Sequence, residues 1–181
     1  MGEVTQICYR TRDLEATARA MTEIERVGPF YMAEFPLKDL VYRGMTVDYG
    51  MLSVAFAYRG HLQIELVQAP AGMPSCYSEV LYNRREALHH VYVKSAERYD
   101  LIIERHAGFG EELVYHGLAG EDGIRFGFID ARARLGHFIE VLETDRMTGS
   151  SAAIFDLYAR METEAGKWDG SRPMRSLSEL I

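Results

Sequence analysis

The sequence predicts an α+β fold in which two paired βαβββ modules form a cleft-shaped mixed sheet, followed by a C-terminal helix. Three observations carry this reading. A strand-then-helix unit occurs twice along the 181 residues, short alternating segments follow the helix in each half, and each half ends on a strand with a glutamate at its centre. A repeat of this length defines the architecture before any single element does.

The first unit opens on Gln6-Ile-Cys-Tyr-Arg, which reads as a strand, and Asp13-Leu14-Glu15-Ala16-Thr17-Ala18 then begins a helical pattern. The second opens on the strand His90-Val-Tyr-Val-Lys, with a helix from Glu97-Arg98-Tyr99 that ends before Gly108 or Gly110. Spacing is the same in both units, since Asp13 follows Gln6 as Glu97 follows His90.

After each helix, Gly and Asp break the chain into segments with strand alternation. In the first half these run from Pro29 to Phe35, Val41 to Tyr49, Ser53 to Tyr58 and Leu62 to Val67. In the second they run from Glu111 to His116, Ile124 to Asp130 and Gly136 to Leu142. The expected divisions are a first module over 1–69, a linker over 70–87 with Pro70, Gly72 and Pro74 as breakers, a second module over 88–146, and a helix and tail over 147–181. Ser150 and Ser151 are placed to cap that last helix, where Ile154, Leu157, Tyr158, Met161 and Ala165 recur at helical spacing. Such a stripe predicts a packing face over a sheet or a second subunit. Gly170 and Pro173 then end the helix.

The net charge of −7 argues against a surface built for phosphate backbones or anionic lipid, so neither nucleic acid nor membrane is expected as a partner. No apolar run suits a signal peptide or a membrane span, and the protein reads as cytoplasmic. Cys8 and Cys76 are too few for a disulfide framework or a cysteine-rich metal site, which leaves two reduced, partly buried thiols.

Side chains two apart on a strand share a face, so Gln63, Glu65 and Val67 point one way, and Phe138, Glu140 and Leu142 point together on the last strand. Gln6 groups with Cys8 and Arg10, and His90 with Tyr92 and Lys94. Two readings of Glu65 and Glu140 compete. Either each is solvated on the wet face of a half-buried sheet, or the polar faces curve together around a cavity where ionised carboxylates need cations or donors. Gln6 and His90 begin the two repeats and Glu65 and Glu140 end them, so a pseudo-twofold arrangement would bring two pairs together. One amide oxygen, one imidazole and two carboxylates suit a divalent ion, whose charge the carboxylates balance.

At these residues the chain resembles the vicinal oxygen chelate superfamily, which includes glyoxalase I, methylmalonyl-CoA epimerase, extradiol dioxygenases and antibiotic-resistance proteins. The resemblance spans roughly residues 4–143 and rests on QICYRTRDLEAT, VGPFY, IELV, LHHVYV and FIEVLE in that order. It implies Gln6, Glu65, His90 and Glu140 as metal ligands. This Gln, Glu, His, Glu set is similar to that of animal glyoxalase I, whereas the epimerases more often carry His, Gln, His, Glu and the dioxygenases two His and one Glu. The glutamate at the position of Glu140 serves there as a base that can leave the metal. Arg10 matches an arginine that holds the γ-glutamyl end of glutathione, but two further glutathione-holding positions are Ala69 and Glu86 instead of Asn and Arg. Arg84 and Arg85 offer either a substitute or a solvated pair.

The implied activity is that of a lyase, isomerase or epimerase of glyoxalase type, which abstracts a proton next to a metal-bound carbonyl of a small oxygen-rich substrate. Glu140 would be the principal base, Glu65 a ligand and second base, and Arg10 and Tyr92 substrate contacts. The implied ion is zinc, nickel, cobalt, manganese or iron, with glutathione as a further cofactor candidate, and homodimers are expected. Two alternatives stand beside this reading: a metal-free small-molecule sequestering protein, and an iron-dependent extradiol-type dioxygenase, which would want histidine at Gln6. His89 should face away from His90, as core or support. Tyr31, Tyr92 and Phe128 are candidates to line a pocket, and Trp168 to shield it or simply to pack.

Overall fold

The structure, a computed structural model, describes residues 2–48, 50–70, 72, 74–79, 87–121, 123–144 and 150–181. Arg84, Arg85 and Glu86 lie outside the described residues, as do the side chains of Ser150 and Ser151.

The first half runs β1 (Glu3–Arg10), α1 (Leu14–Glu25), β2 (Phe30–Tyr42), the short β3 (Met45–Val47), β4 (Met51–Arg59) and β5 (Leu62–Gln68). Asp13 caps α1 by accepting from the Ala16 amide at 2.9 Å, an arrangement that contributes about 0.5–2 kcal/mol. Leu14, Thr17 and Ala18 are the buried positions of the helix, and Leu14 and Ala18 share a core cluster with Ala55 and Ala57 of β4 and Ile64 and Leu66 of β5. A four-residue helix, α2 (Cys76–Glu79), lies in the linker. The second half repeats the plan with β6 (Ala87–Lys94), α3 (Tyr99–Ala107), β7 (Leu113–Ala119), β8 (Ile124–Asp130), the single turn α4 (Arg132–Leu135) and β9 (Phe138–Leu142).

The halves pair within one chain. β1 lies antiparallel to β6, with Cys8 opposite His90, and the other edges meet where β2 runs antiparallel to β7. The order β2-β4-β5-β1-β6-β9-β8-β7 therefore closes on itself, and the strand-rich sheet curves into a barrel. Closure pairs the edges that a cleft of two sheets would leave open, except at the start of β2, where β7 does not reach.

The expected break between Phe35 and Val41 is absent. β2 runs on through Pro36, because that is where it changes partner: Tyr31 to Pro36 pair with β4, while Leu37, Lys38, Val41 and Tyr42 pair with β7. Asp39, at φ 52°, sits in the register shift of the second pairing, as a β-bulge does. Gly117 and Gly127 allow the close approach of neighbouring strands. A Cβ at Gly117 would stand 2.8 Å from the Lys38 carbonyl oxygen and 2.6 Å from Leu40 Cδ2.

The last helix, α5 (Ser150–Lys167), covers the sheet as its stripe predicts: Met161 is buried, and the Tyr158 ring lies 5.7 Å from Phe56 of β4. The tail that follows is more ordered than its sequence suggests. β10 (Met174–Ser176) adds in parallel to the start of β2, and a 3₁₀ turn (Leu177–Leu180) begins in a capping box between Ser176 and Glu179. Trp168 packs its ring over Gly28 and donates to the Ser171 carbonyl at 2.6 Å. Among the described residues no helix is long and apolar enough to cross a membrane.

Candidate metal centre

Strand register brings the predicted set together. β1 is the shared neighbour: its parallel pairing with β5 sets Cys8 beside Glu65, and its antiparallel pairing with β6 sets Gln6 opposite Tyr92. β9 runs parallel to β6, with Glu140 beside Tyr92. The result is that His90 Nε2 lies 3.2 Å from Gln6 Oε1, 3.2 Å from Glu65 Oε2 and 3.4 Å from Glu140 Oε2. The site is sheltered, with His90 2% exposed and the two carboxylate side chains 13% and 12%.

This arrangement fits a divalent ion on two grounds. Ligands bound side by side at about 2.1 Å are about 3 Å apart, close to the distance of each oxygen from His90 Nε2. Two buried carboxylates on one imidazole also leave negative charge that a cation would balance. Without one, a proton serves. Burial works to lower the His90 pKa, but Glu140 and Glu65 outweigh it and push it up to about 9. Burial likewise raises the Glu140 pKa, with His90 pulling against it.

The orientation of each donor has a cause. Gln6 Nε2 donates to Gln63 Oε1 at 2.6 Å, and Gln63 Nε2 donates in turn to Tyr58 Oη at 2.9 Å. With its amide hydrogens directed to Gln63, Gln6 presents its oxygen to the site. On the other side, His90 Nδ1 lies 2.8 Å from His89 Nδ1. His89 is fully buried, stacked on Tyr77 at 4.5 Å and flanked by Phe128 and Phe138, each at 5.1 Å. Gln63 and Tyr58 escape a reading of motifs. Only the alternation that puts Gln63 on the face of Glu65 points to the first of them.

A second group of metal-capable atoms shares His90. Cys8 Sγ and ring nitrogens of His89 and His90 all lie within 4.8 Å of one another. It suits an ion less well: burial and the nearby Glu65 carboxylate hold the Cys8 thiol well above its ordinary pKa, and the two histidines are already bonded to each other.

The four donors open onto a cavity of about 350 Å³ in the barrel interior, roofed by α5. Tyr92 and Phe128 line it, as does Tyr77, whereas Tyr31 is core and its hydroxyl accepts from Arg175 at 3.3 Å. Arg10 is placed elsewhere. It lines a separate hollow with Arg12, Ser53 and Gln68, and its Nη2 donates to the Ala69 carbonyl at 3.4 Å.

Together these elements compose a glyoxalase-like fold, and solved structures share it. Methylmalonyl-CoA epimerase from Mycobacterium tuberculosis is 20% identical, with a TM-score of 0.52, over 83% of this chain and 91% of that one. The Streptomyces coelicolor methylmalonyl-CoA epimerase, solved as a single-site variant in complex with 2-nitronate-propionyl-CoA, is 17% identical, with a TM-score of 0.55, over 81% of this chain and 97% of that one. A hypothetical protein from Bacillus halodurans is 16% identical, with a TM-score of 0.53, over 82% of this chain and 98% of that one. At these identities the likeness is one of fold. No protein-family model matches the chain, and neither does any curated protein.

Proposed function

We propose that this chain is a metal-dependent isomerase or epimerase, or a lyase of glyoxalase type, that moves a proton on the carbon beside a carbonyl of a small oxygen-rich substrate. The observation that carries the reading is the convergence of Gln6, Glu65 and Glu140 on His90 Nε2 at the wall of a cavity. The fold shared with methylmalonyl-CoA epimerases, one of them in complex with methylmalonyl-CoA, supports it. The nitrogen and oxygen donors suit zinc, nickel, cobalt, manganese or iron. When bound, such an ion supplies a Lewis acid that polarises a carbonyl and acidifies the neighbouring C–H.

The chain's own residues then have separate tasks. His90 offers Nε2 as a lone pair, which puts its hydrogen on Nδ1, and that hydrogen is donated to His89 Nδ1. Gln6 is held by Gln63. Glu65 contributes a carboxylate ligand and a second base. Glu140 is the principal base, with a proton affinity that burial raises toward that of a useful acceptor. Arg10 stands outside this cavity, so glutathione gains no support from its placement. We infer a homodimer as well, although all four donors come from one chain.

The test is solvent-deuterium exchange followed by NMR, using the metal-loaded chain with thioester, 2-hydroxyketone and 2-oxoacid compounds. Exchange at the carbon beside the carbonyl, lost in Glu140→Gln, is the expected result. No exchange in any class would overturn the reading.

One observation favours a second reading. His90 and its carboxylate neighbours satisfy one another through a proton, and the cavity above them is mainly apolar, as a metal-free sequestering protein would need. Tight binding of apolar compounds by a chain that takes up no metal would favour this alternative.

A further inference from the structure

Helix α5 brings more than a cover to the cavity. Ile154, Phe155, Tyr158, Ala159 and Glu162 line it, and steps of three and four residues put them on one face of the helix. Two of the five carry polar side chains. The Glu162 carboxylate is engaged by Nδ1 of His61, from the turn between β4 and β5. Tyr158, one helical turn earlier, packs its ring against Phe56 at 5.7 Å and Phe155 at 6.3 Å.

Strand register fixes what lies beside that ring. Phe56 is the cross-strand partner of Glu65, and Tyr58, two residues on and on the same face, is the partner of Gln63. Tyr158 therefore sits against the strand pair that carries one of the two proposed bases. Burial raises its pKa well above the ordinary value, and the carboxylates of Glu65 and Glu140 add to the rise. The group is a neutral O–H donor, near enough to both carboxylates for their charges to act on it. The other phenols of the lining are placed differently. Tyr58 accepts from Gln63, Tyr77 is stacked on His89, and Tyr92 adjoins Glu140 in register on the same wall.

We propose that Tyr158 is a catalytic hydrogen-bond donor, whose hydroxyl contacts the substrate oxygen that gains negative charge as the neighbouring carbon loses its proton. The inference rests on the proton-transfer reading above. In that step the C–H bond breaks, its proton passes to a Glu140 carboxylate oxygen, and its electron pair moves through the carbonyl onto oxygen as an enolate. Tyr158 keeps its own proton throughout. Its hydrogen bond is stronger to the enolate oxygen than to the carbonyl, so it lowers the barrier instead of only tightening binding. The chemistry then draws on a residue of α5, which neither repeated module contains.

Solvent-deuterium exchange into propionyl-CoA, dihydroxyacetone and pyruvate, followed by NMR, tests this with the full chain loaded with zinc. Elemental analysis of each variant checks its metal. On whichever probe the parent exchanges, Tyr158→Phe should lower kcat about 10²–10³-fold, with KM and metal content close to those of the parent. A kcat within about threefold of the parent, a rise in KM alone, or a loss that only follows metal content overturns the inference. If Glu140→Gln abolishes exchange in the same series, the proton-transfer reading stands without it. No exchange by the parent with any probe overturns both. Should Tyr158→Phe not fold, Tyr158→Leu decides by the same readout.

Discussion

Gln6 Nε2 donates to Gln63 Oε1 at 2.6 Å, and this bond turns the Gln6 carbonyl oxygen toward His90 Nε2. Gln63 therefore sets which atom of Gln6 is turned toward the proposed metal site. Replacement of Gln63 by Leu frees the amide to rotate. Metal affinity should fall about 10–100-fold, the usual cost of losing an outer partner of a ligand. Competition against a fluorescent chelator measures this, and a melting temperature close to that of the parent would separate the effect from unfolding.

Glu140 is the proposed base, so Glu140→Gln should retain the fold and lower proton exchange by about 10²–10⁴-fold. Glu65→Gln should weaken metal binding as its first effect. If exchange survived Glu140→Gln and vanished in Glu65→Gln with metal still bound, the two roles would be reversed.

The strands that close the barrel leave no room at Gly117. Its missing Cβ faces the Lys38 carbonyl oxygen, which is backbone and cannot swing aside. Gly117→Ala should destabilise by about 1–3 kcal/mol. Chemical denaturation should show the loss as a lower midpoint without a change in slope.

Acid should loosen the opposite end of the barrel. Arg43 Nε sits 3.0 Å from Glu79 Oε1 and Arg43 Nη2 3.1 Å from Asp130 Oδ2, while Arg132 Nη2 lies 2.6 Å from both carboxylates. Burial raises the Glu79 pKa, but Arg43, Tyr42 and Arg132 outweigh it and the net shift is below the ordinary 4.5. Hydrogen bonds from Arg132 lower Asp130 below the ordinary 3.8. Carboxyls with depressed folded pKa values bind more protons when unfolded. Their contribution is therefore present above those ordinary values and is lost as pH falls through the folded ones. Stability measured from pH 6 down to pH 2 should decline most steeply at the acid end, and Glu79→Gln should flatten that limb.

The fold was legible in the sequence wherever a local pattern governed it. Alternation and the repeat place β1, β8 and both module helices, and Asp13 marks the start of α1 because capping is a contact between near neighbours. Long-range partners were not legible. β2 continues through Pro36 because β7 takes over from β4, and β10 forms because β2 offers it an edge; neither event leaves a mark in the local residues. The same division holds at the site. The equivalence of Gln6 with His90 and of Glu65 with Glu140 anticipates their meeting, since register follows from the repeat. The contact of His89 with His90 through their Nδ1 atoms does not follow from strand alternation, which sends neighbouring side chains to opposite faces. Nor does the placement of Arg10 in a separate hollow, which depends on how far the cavity extends along β1.

We propose that Gln6, Glu65, His90 and Glu140 hold a divalent ion. Elemental analysis of protein purified without chelators or a metal-affinity tag, beside a Glu65→Gln, Glu140→Gln double variant, tests it most directly. Near-stoichiometric metal is expected in the parent, with its loss in a variant that keeps its circular dichroism spectrum. A folded parent that binds no zinc, nickel, cobalt, manganese or iron after incubation with each, or a double variant that binds as much as the parent, would contradict it.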